Sequence, residues 1–230
     1  MPFTPTSRPT RMSSVPSEQA AIRIRDLGQR DYSPVWAAMR RFTDERTAET
    51  PDEVWLVEHP PVYTQGRNGR PEHLPLAGDI PVVETDRGGQ ITYHGPGQAV
   101  AYGLVDLARR GWGVRDHVHA LEQAVIDVLA GHGLLGVRRE DAPGIYLDRP
   151  EGPKIASVGL RVVRRCTYHG VSLNVTNDLH PFHRINPCGF QGLPVTRLAD
   201  HTPDPDTEAV RTTLGQALAH LLAPQPEALP

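Results

Sequence analysis

The sequence is poor in cysteine and lysine, and it lacks the patterns of several broad protein classes. Two cysteines in 230 residues cannot form a disulfide framework, which favours a reducing compartment and a cytoplasmic protein. No apolar run approaches the roughly 20 residues that a membrane helix needs. The formal net charge is -3 and no segment is strongly basic, so we expect neither membrane insertion nor nucleic acid binding.

Proline and glycine are abundant, at 23 and 21 residues, and they predict long ordered loops of the kind that carry functional sites. The first 20 residues are rich in Pro, Ser, Thr and Arg and lack the apolar core of a secretory signal. We expect a disordered tail over 1–20, one domain over 21–223, and a second tail over 224–230.

Periodic apolar patterns predict more strands than helices. Helical spacing is present from Asp31 to Arg46, from Asp116 to Gly131 and from Thr207 to Leu222. Strand patterns occur over 21–28, 54–59, 80–85, 99–107, 144–147, 154–163 and 167–176. Because the two types do not alternate strictly, we expect an α+β fold, with a mixed or antiparallel sheet flanked by helices.

A glycine-rich stretch, RGGQITYHGPG, occupies residues 87–97. It lacks the spacing of a dinucleotide-binding or P-loop motif. One interpretation is a tight turn between two strands, and the other is a loop that lines a tunnel or cradles an anion with its N–H groups. Arg87, Tyr93 and His94 have side chains able to bind a substrate, although Tyr93 also suits a core position.

The only lysine of the chain, Lys154, lies in the apolar run PKIASVG, and Cys188 lies in the non-periodic stretch RINPCGFQG. A partly desolvated lysine can act as a general base, and a nearby cation favours the reactive thiolate of a cysteine. The two residues together would form a nucleophile–base pair. The alternatives are a lysine with its head in water and a cysteine buried as a small hydrophobe, as we expect for Cys166.

A further alternative is a zinc-stabilised binding module. Cys166 and His169 are three residues apart, as are His180 and His183, and Cys188 follows closely. This spacing resembles that of zinc ligands, although such pairs recur by chance in a chain with 11 histidines.

Seven stretches between about Arg25 and about Asp200 resemble the lipoyl/octanoyl transferases, in the same order as in that family. They are DLG, WLVEHPPVYTQGR, RGGQITYHGPGQ, DAPGIY, KIASVGLRV, HGVSLNV and FHRINPCGFQG. The resemblance implies a fold similar to the catalytic domain of biotin and lipoate protein ligases. It also implies an acyltransferase of EC class 2.3.1 that takes part in protein lipoylation.

The resemblance implies a reaction in two steps. An octanoyl or lipoyl group arrives on the phosphopantetheine arm of acyl carrier protein, the enzyme cysteine takes it as a thioester, and a lysine of a lipoyl domain receives it as an amide. The expected acceptors are the lipoyl domains of 2-oxoacid dehydrogenase complexes and the glycine cleavage H protein. We expect a monomer with no bound cofactor and no metal.

The site residues follow from the matching motifs. Cys188 is the expected nucleophile and Lys154 the expected base. The expected acyl pocket comprises Arg87, Gly88, Gly89, Gln90, Ile91, Thr92, Tyr93, His94, Ser157, Val158, Gly159, Gly170, Val171 and Ser172. The glycines at 88, 89, 159 and 170 are expected to leave room for the acyl chain.

The chain departs from the family pattern at one position, and one rival function shares the same fold. The family usually has AYPLLDL where this chain has AYGLVDL, so Gly103 replaces a proline, and we expect only a small change in stability. A rival within the same fold is an ATP-dependent ligase for free lipoate or octanoate, but a ligase needs no cysteine nucleophile, so Cys188 argues against it.

Overall fold

A computed structural model of the chain describes residues 22–69, 78–139, 142–149, 152–185 and 193–223. Both predicted tails and Cys188 lie outside these ranges. The strands are β1 (Arg23–Gln29), β2 (Glu53–Glu58), β3 (Val62–Gln65), β4 (Val82–Glu84), β5 (Ile91–His94), β6 (Gln98–Leu104), β7 (Gly136–Arg138), β8 (Ile145–Leu147), β9 (Lys154–Val163) and β10 (Cys166–Asn174). The helices are α1 (Tyr32–Asp44), α2 (Val114–Gly131) and α3 (Thr207–Leu222), with short 3₁₀ turns at His180–Arg184 and Leu198–Asp200.

Within the described ranges the strands form two sheets. The large sheet has seven strands in the order β1-β2-β6-β10-β9-β8-β7, and the small sheet has the order β4-β3-β5. The pairs β1–β2 and β3–β4 are parallel, whereas β6 pairs antiparallel with β2 and with β10. The predicted α+β fold with a mixed sheet is therefore confirmed.

Alternate residues of the central strands point to opposite faces of the large sheet, and each face has its own core. Leu56 and Ala101 pack with α2 and α3, while Trp55 and Tyr102 pack with α1. At the start of α3, the Asp206 carboxylate caps the helix by accepting from the N–H of Glu208 at 2.9 Å. The large sheet is thus covered by helices on both faces.

The structure adds strands that the sequence pattern did not reveal. β5 lies inside the glycine-rich stretch, which therefore contains a strand as well as turns. β3 and β7 have four and three residues and lie outside the strands predicted from the sequence. Strands of three or four residues are too short to show a periodic pattern.

Candidate active site

A cavity lies between the small sheet and the large sheet, on the face that also carries α1. Strand β5 forms one wall, and β6, β9 and β10 form the other. Thirteen of the predicted residues line this cavity: Arg87, Gly89, Gln90, Ile91, Thr92, His94, Lys154, Ser157, Val158, Gly159, Gly170, Val171 and Ser172. Their roles in binding stay predictions, but the fold brings them together.

The strand register explains why residues distant in the chain meet. Gly170 of β10 pairs with Gly159 of β9 on one side and with Tyr102 of β6 on the other. Two residues further along β10, Ser172 pairs in the same way with Ser157 and Val100. Side chains two residues apart in a strand share a face. The row of residues across Gly170 and the row across Ser172 therefore contribute to the same wall.

Two predicted residues lie off the cavity. Tyr93 points to the other side of β5, where it is buried against Tyr63 and Phe182. The N–H of Gly88 donates to the carbonyl of Leu160 at 2.8 Å and so ties the glycine-rich stretch to β9. These two positions therefore support the wall without lining it, as the alternation of a strand requires for Tyr93.

Steric contacts and backbone conformation also explain why glycines occur in the cavity wall, apart from the space they leave for an acyl chain. A Cβ on Gly170 would overlap the carbonyl oxygen of Ala101 in the neighbouring strand. A Cβ on Gly159 would lie 3.3 Å from Cδ of Arg87, which is already tight. Gly89 has a φ of +82°, which residues with a side chain rarely adopt. The expectation that these glycines leave room for the acyl chain stays a prediction beside these steric reasons.

Lys154 is buried in the wall, with 3% of its surface exposed. Its Nζ donates to the carbonyl of Pro143 at 2.8 Å and lies 5.5 Å from the ring centre of Tyr146. The backbone of Lys154 is hydrogen-bonded to the segment around Val195. Its N–H donates to the Pro194 carbonyl at 2.7 Å, and its carbonyl accepts from the Thr196 N–H at 2.9 Å. The interpretation of a lysine with its head in water is therefore wrong.

Four residues that the prediction missed also line the cavity: Tyr32, Val100, Tyr102 and His169. Tyr32 is the first residue of α1, and its ring stacks nearly parallel to those of His94 and His169, at 5.8 and 6.5 Å between ring centres. His59 completes the group, with Nε2 2.8 Å from the Tyr102 hydroxyl. We call Tyr32, His59, His94, Tyr102 and His169 the ring cluster.

The histidines of the ring cluster are neutral at physiological pH. Burial lowers the pKa of His59 to about 4 and the pKa of His94 to about 3, because an imidazolium loses its hydration there. Burial also lowers the pKa of His169, and this outweighs the opposing effect of its contact with Asp86. The cluster therefore offers polar atoms to the cavity without adding charge.

Asp86 anchors the cluster from outside the cavity. It accepts hydrogen bonds from Trp36 Nε1 at 3.0 Å and from the Tyr168 hydroxyl, and His169 Nε2 lies 3.2 Å away. Burial opposes ionisation, but these hydrogen bonds outweigh it and hold the pKa of Asp86 well below its usual range. His169 itself has a φ of +65°, a conformation that is uncommon for a residue with a Cβ and is often found at functional sites.

Arg87 holds the small sheet in place with a buried guanidinium. Its Nε donates to Thr64 Oγ1 at 3.2 Å, its Nη2 donates to the Thr64 carbonyl, and its Nη1 donates to Gly88 O at 2.9 Å. Its charge also disfavours protonation of His94 and His169, which lowers their pKa further. Arg87 thus shapes the wall and its electrostatics together.

The zinc alternative finds no support in the described residues. The ring nitrogens of His169 lie 3.2 Å from Asp86 Oδ1 and 3.4 Å from the Tyr32 hydroxyl, so both face protein partners. Cys166 is a free thiol whose Sγ lies 3.8 Å from the Arg164 carbonyl. Across the described ranges, no three His, Cys, Asp or Glu side chains are grouped to hold a metal ion. No helix in those ranges is both long and apolar enough to cross a membrane.

Comparison with solved structures shows the same fold in two groups of ligases. A lipoate-protein ligase A bound with ATP has a TM-score of 0.71 at 14% identity, covering 88% of this chain and 85% of that one. A bipartite lipoate protein ligase from Thermoplasma acidophilum, from a study of an archaeal lipoylation system, has a TM-score of 0.70 at 15% identity, covering 88% and 84%. A biotin protein ligase from Aquifex aeolicus with biotin and ATP has a TM-score of 0.55 at 13% identity, covering 87% and 70%.

Comparison with curated sequences is more specific. Residues 31–219 match the lipoyl protein ligase A/B catalytic domain. An octanoyltransferase of Alkalilimnicola ehrlichii is 61% identical over 185 residues, covering 80% of this chain and 85% of that one. An octanoyltransferase of Pseudomonas fluorescens is 55% identical over 199 residues, covering 86% and 91%. The chain therefore belongs to the lipoyl protein ligase A/B family and, within it, to the octanoyltransferases, the acyltransferases that transfer an octanoyl group in protein lipoylation.

Proposed function

We propose that this octanoyltransferase works through a thioester on Cys188, with Lys154 as the base. The donor is an octanoyl thioester on the phosphopantetheine arm of acyl carrier protein. The acceptor is a lysine of a lipoyl domain, in 2-oxoacid dehydrogenase complexes or in the glycine cleavage H protein. One structural neighbour is a bipartite lipoate protein ligase described together with its E2 lipoyl domain, which supports an acceptor of this kind.

The observation that carries the proposal is the placement of Lys154. The only lysine of the chain is buried in the cavity wall, where an ammonium group costs free energy unless it is paired or hydrogen-bonded. Its backbone pairs with Pro194 and Thr196, which follow Cys188 by six and eight residues. The chain that follows the proposed nucleophile is therefore attached to the proposed base.

The proton steps need only these two residues. The Lys154 amine takes the thiol proton of Cys188, and the thiolate attacks the donor carbonyl. Collapse of the tetrahedral intermediate releases the phosphopantetheine thiolate, which recovers the proton from Lys154. In the second step the acceptor amine attacks the Cys188 thioester, loses its proton to Lys154, and the cysteine thiolate leaves and is reprotonated. Thioester exchange is nearly isoenergetic and amide formation from a thioester is downhill, so neither ATP nor a bound cofactor is required.

The cavity suits the acyl chain. Val100 supplies apolar side-chain surface to the wall, beside the rings of Tyr32 and Tyr102. Each methylene removed from water there contributes about 0.8 kcal/mol, so an eight-carbon chain gains several kcal/mol of binding free energy.

The test is an intact-mass measurement after incubation with octanoyl acyl carrier protein in the absence of ATP. We expect the wild-type protein to gain the mass of one octanoyl group, located on Cys188 by peptide mapping. Cys188→Ser should gain none while keeping the wild-type circular dichroism spectrum. Lys154→Met should acylate at least about 100-fold more slowly, which is the usual contribution of a general base.

Two outcomes would overturn the proposal. Near-normal transfer by Cys188→Ser would exclude the covalent route. Octanoyl transfer that strictly requires ATP would instead assign the chain the activity of a ligase.

A further inference from the structure

A single peptide unit lies between Lys154 and helix α2. The carbonyl of Pro143 accepts from Lys154 Nζ at 2.8 Å, and the N–H of Gly144 donates to Glu122 Oε1 at 3.2 Å. A trans peptide is planar, and its C=O and N–H point in opposite directions from one rigid unit. The Pro143–Gly144 peptide therefore connects a carboxylate on one side to the amino group on the other.

Glu122 is fixed from two directions. It is buried on α2, and while Oε1 accepts from Gly144, Oε2 accepts from Arg138 Nε at 3.2 Å. Arg138 is itself held by Gln123 Oε1 at 2.8 Å. The carboxylate has little freedom to turn, so the direction of the Gly144 N–H is set by α2 and β7.

Gly144 fits this arrangement because it has no side chain. Its φ of +119° lies outside the range that other residues adopt. A Cβ at this position would overlap the carbonyl oxygen of Ala156 and would lie 2.9 Å from Cε of Lys154. The lysine side chain thus packs directly on the peptide that supplies its acceptor.

We infer that Glu122 is a positioning residue for Lys154, acting through the Pro143–Gly144 peptide. By holding the Gly144 N–H, Glu122 aims the Pro143 carbonyl at Nζ and keeps the amino group in the cavity wall. Its negative charge also polarises the peptide and strengthens the carbonyl as an acceptor. The functional consequence rests on the proposed role of Lys154, whereas the positioning itself does not.

The single lysine makes the positioning directly observable. In protein labelled with ¹⁵N-lysine, the Nζ–H region of the NMR spectrum contains one signal, which persists at neutral pH only if burial and a hydrogen bond slow its exchange with water. Glu122→Met has a similar volume but cannot accept from Gly144, so we expect this signal to shift and broaden beyond detection. Octanoyl transfer should fall about 10- to 100-fold in kcat with KM little changed, since a small misplacement of a reacting group costs rate.

Glu122→Gln is the matched control. Its amide oxygen still accepts from Gly144 but its charge is gone, so we expect the Nζ signal to return and the kcat to lie within about threefold of wild type. Arg138→Met removes the ion pair and keeps the Gly144 contact, so it should lose stability without losing the signal. If Glu122→Met does not fold, Glu122→Met combined with Arg138→Leu removes the unpaired cation and carries the same expectation.

The outcomes distinguish the positioning of Lys154 from its proposed role in the reaction. An unchanged Nζ signal in a folded Glu122→Met variant would overturn the positioning. A lost signal with full octanoyl transfer, together with a fully active Lys154→Met variant, would leave the positioning intact and overturn the proposed role of Lys154.

Discussion

At the scale of single residues, the cavity wall depends on what each glycine meets. Gly170 faces the backbone of the adjacent strand, and backbone cannot move without disturbing the sheet. Gly159 faces the aliphatic part of Arg87, which is a side chain, although hydrogen bonds to Thr64 and Gly88 restrain it. The two positions therefore have different tolerance for a methyl group.

We predict that Gly170→Ala and Gly159→Ala separate stability from activity. Gly170→Ala should lower the free energy of unfolding by about 3 kcal/mol or prevent folding, because overpacking against backbone cannot relax. Gly159→Ala should cost about 1 kcal/mol and reduce octanoyl transfer by displacing Arg87. Urea unfolding and a transfer assay on both variants check this. Equal loss of stability in the two variants would contradict it.

At the scale of elements, the turn between β9 and β10 shows how strand pairing overrides local preference. Val163 pairs with Cys166, so Arg164 and Arg165 form a two-residue turn, and their φ values are +48° and +63°. Such turns favour Asn-Gly, because two positive φ values are costly for other residues. The guanidinium of Arg164 donates to the carbonyl of Thr43 at 3.1 Å, a contact that the sequence pattern cannot reveal.

The contact between β6 and α2 shows what surrounds Gly103. A Cβ on Gly103 would lie 2.9 Å from Cε1 of His117, which is fully buried on α2. Neither ring nitrogen of His117 has a hydrogen-bond partner among the described residues. The space that a side chain at position 103 would need is thus occupied by the His117 ring of the facing helix.

We predict that Gly103→Ala and His117→Ala are coupled. Gly103→Ala alone should lower the free energy of unfolding by about 1–3 kcal/mol, because the ring has no room to move. In the double variant the added methyl has space, so the combined cost should be at least about 1 kcal/mol smaller than the sum. A double-mutant cycle by urea unfolding measures this coupling, and strictly additive costs would show that the two residues do not compete for space.

At the scale of the whole molecule, buried histidines tie stability to pH. Burial lowers the pKa of His59 and His117 to about 4 and that of His94 to about 3, against about 6.5 in an unfolded chain. Between these limits the unfolded state binds more protons than the folded state, so stability rises with pH and is lost as pH falls below about 6.5.

We predict a steep acid loss of stability. One pKa unit corresponds to about 1.36 kcal/mol, so lowering the pH from 6.5 to 5 should cost up to about 2 kcal/mol for each of the three histidines. Urea unfolding at several pH values measures the slope. His117→Leu should make the slope shallower, by less than a third because burial lowers the pKa of His169 as well. A flat profile between pH 7 and pH 5 would contradict this prediction.

The sequence predicted the three helices and most of the longer strands, because apolar periodicity indicates such elements. It also predicted thirteen cavity residues, because they lie in contiguous motifs. Lys154 was identifiable because an apolar run with the only lysine of the chain is unusual. The roles of Lys154 and Cys188, the domain limits and the cytoplasmic location stay predictions, and Cys188 lies outside the described residues.

The ring cluster and the Glu122 contact could not be predicted in the same way. Tyr32, His59 and His169 come from α1, from the end of β2 and from β10, and no spacing rule relates residues that meet only when a helix packs on a sheet. Local patterns are set by the backbone geometry of each strand or helix, so the sequence by itself determined the elements and the chemical types available to the site. Which atoms face one another depends on sheet register and helix placement, which minimise the free energy of the whole chain, so only the tertiary structure decided that Glu122 reaches Lys154 through a single peptide.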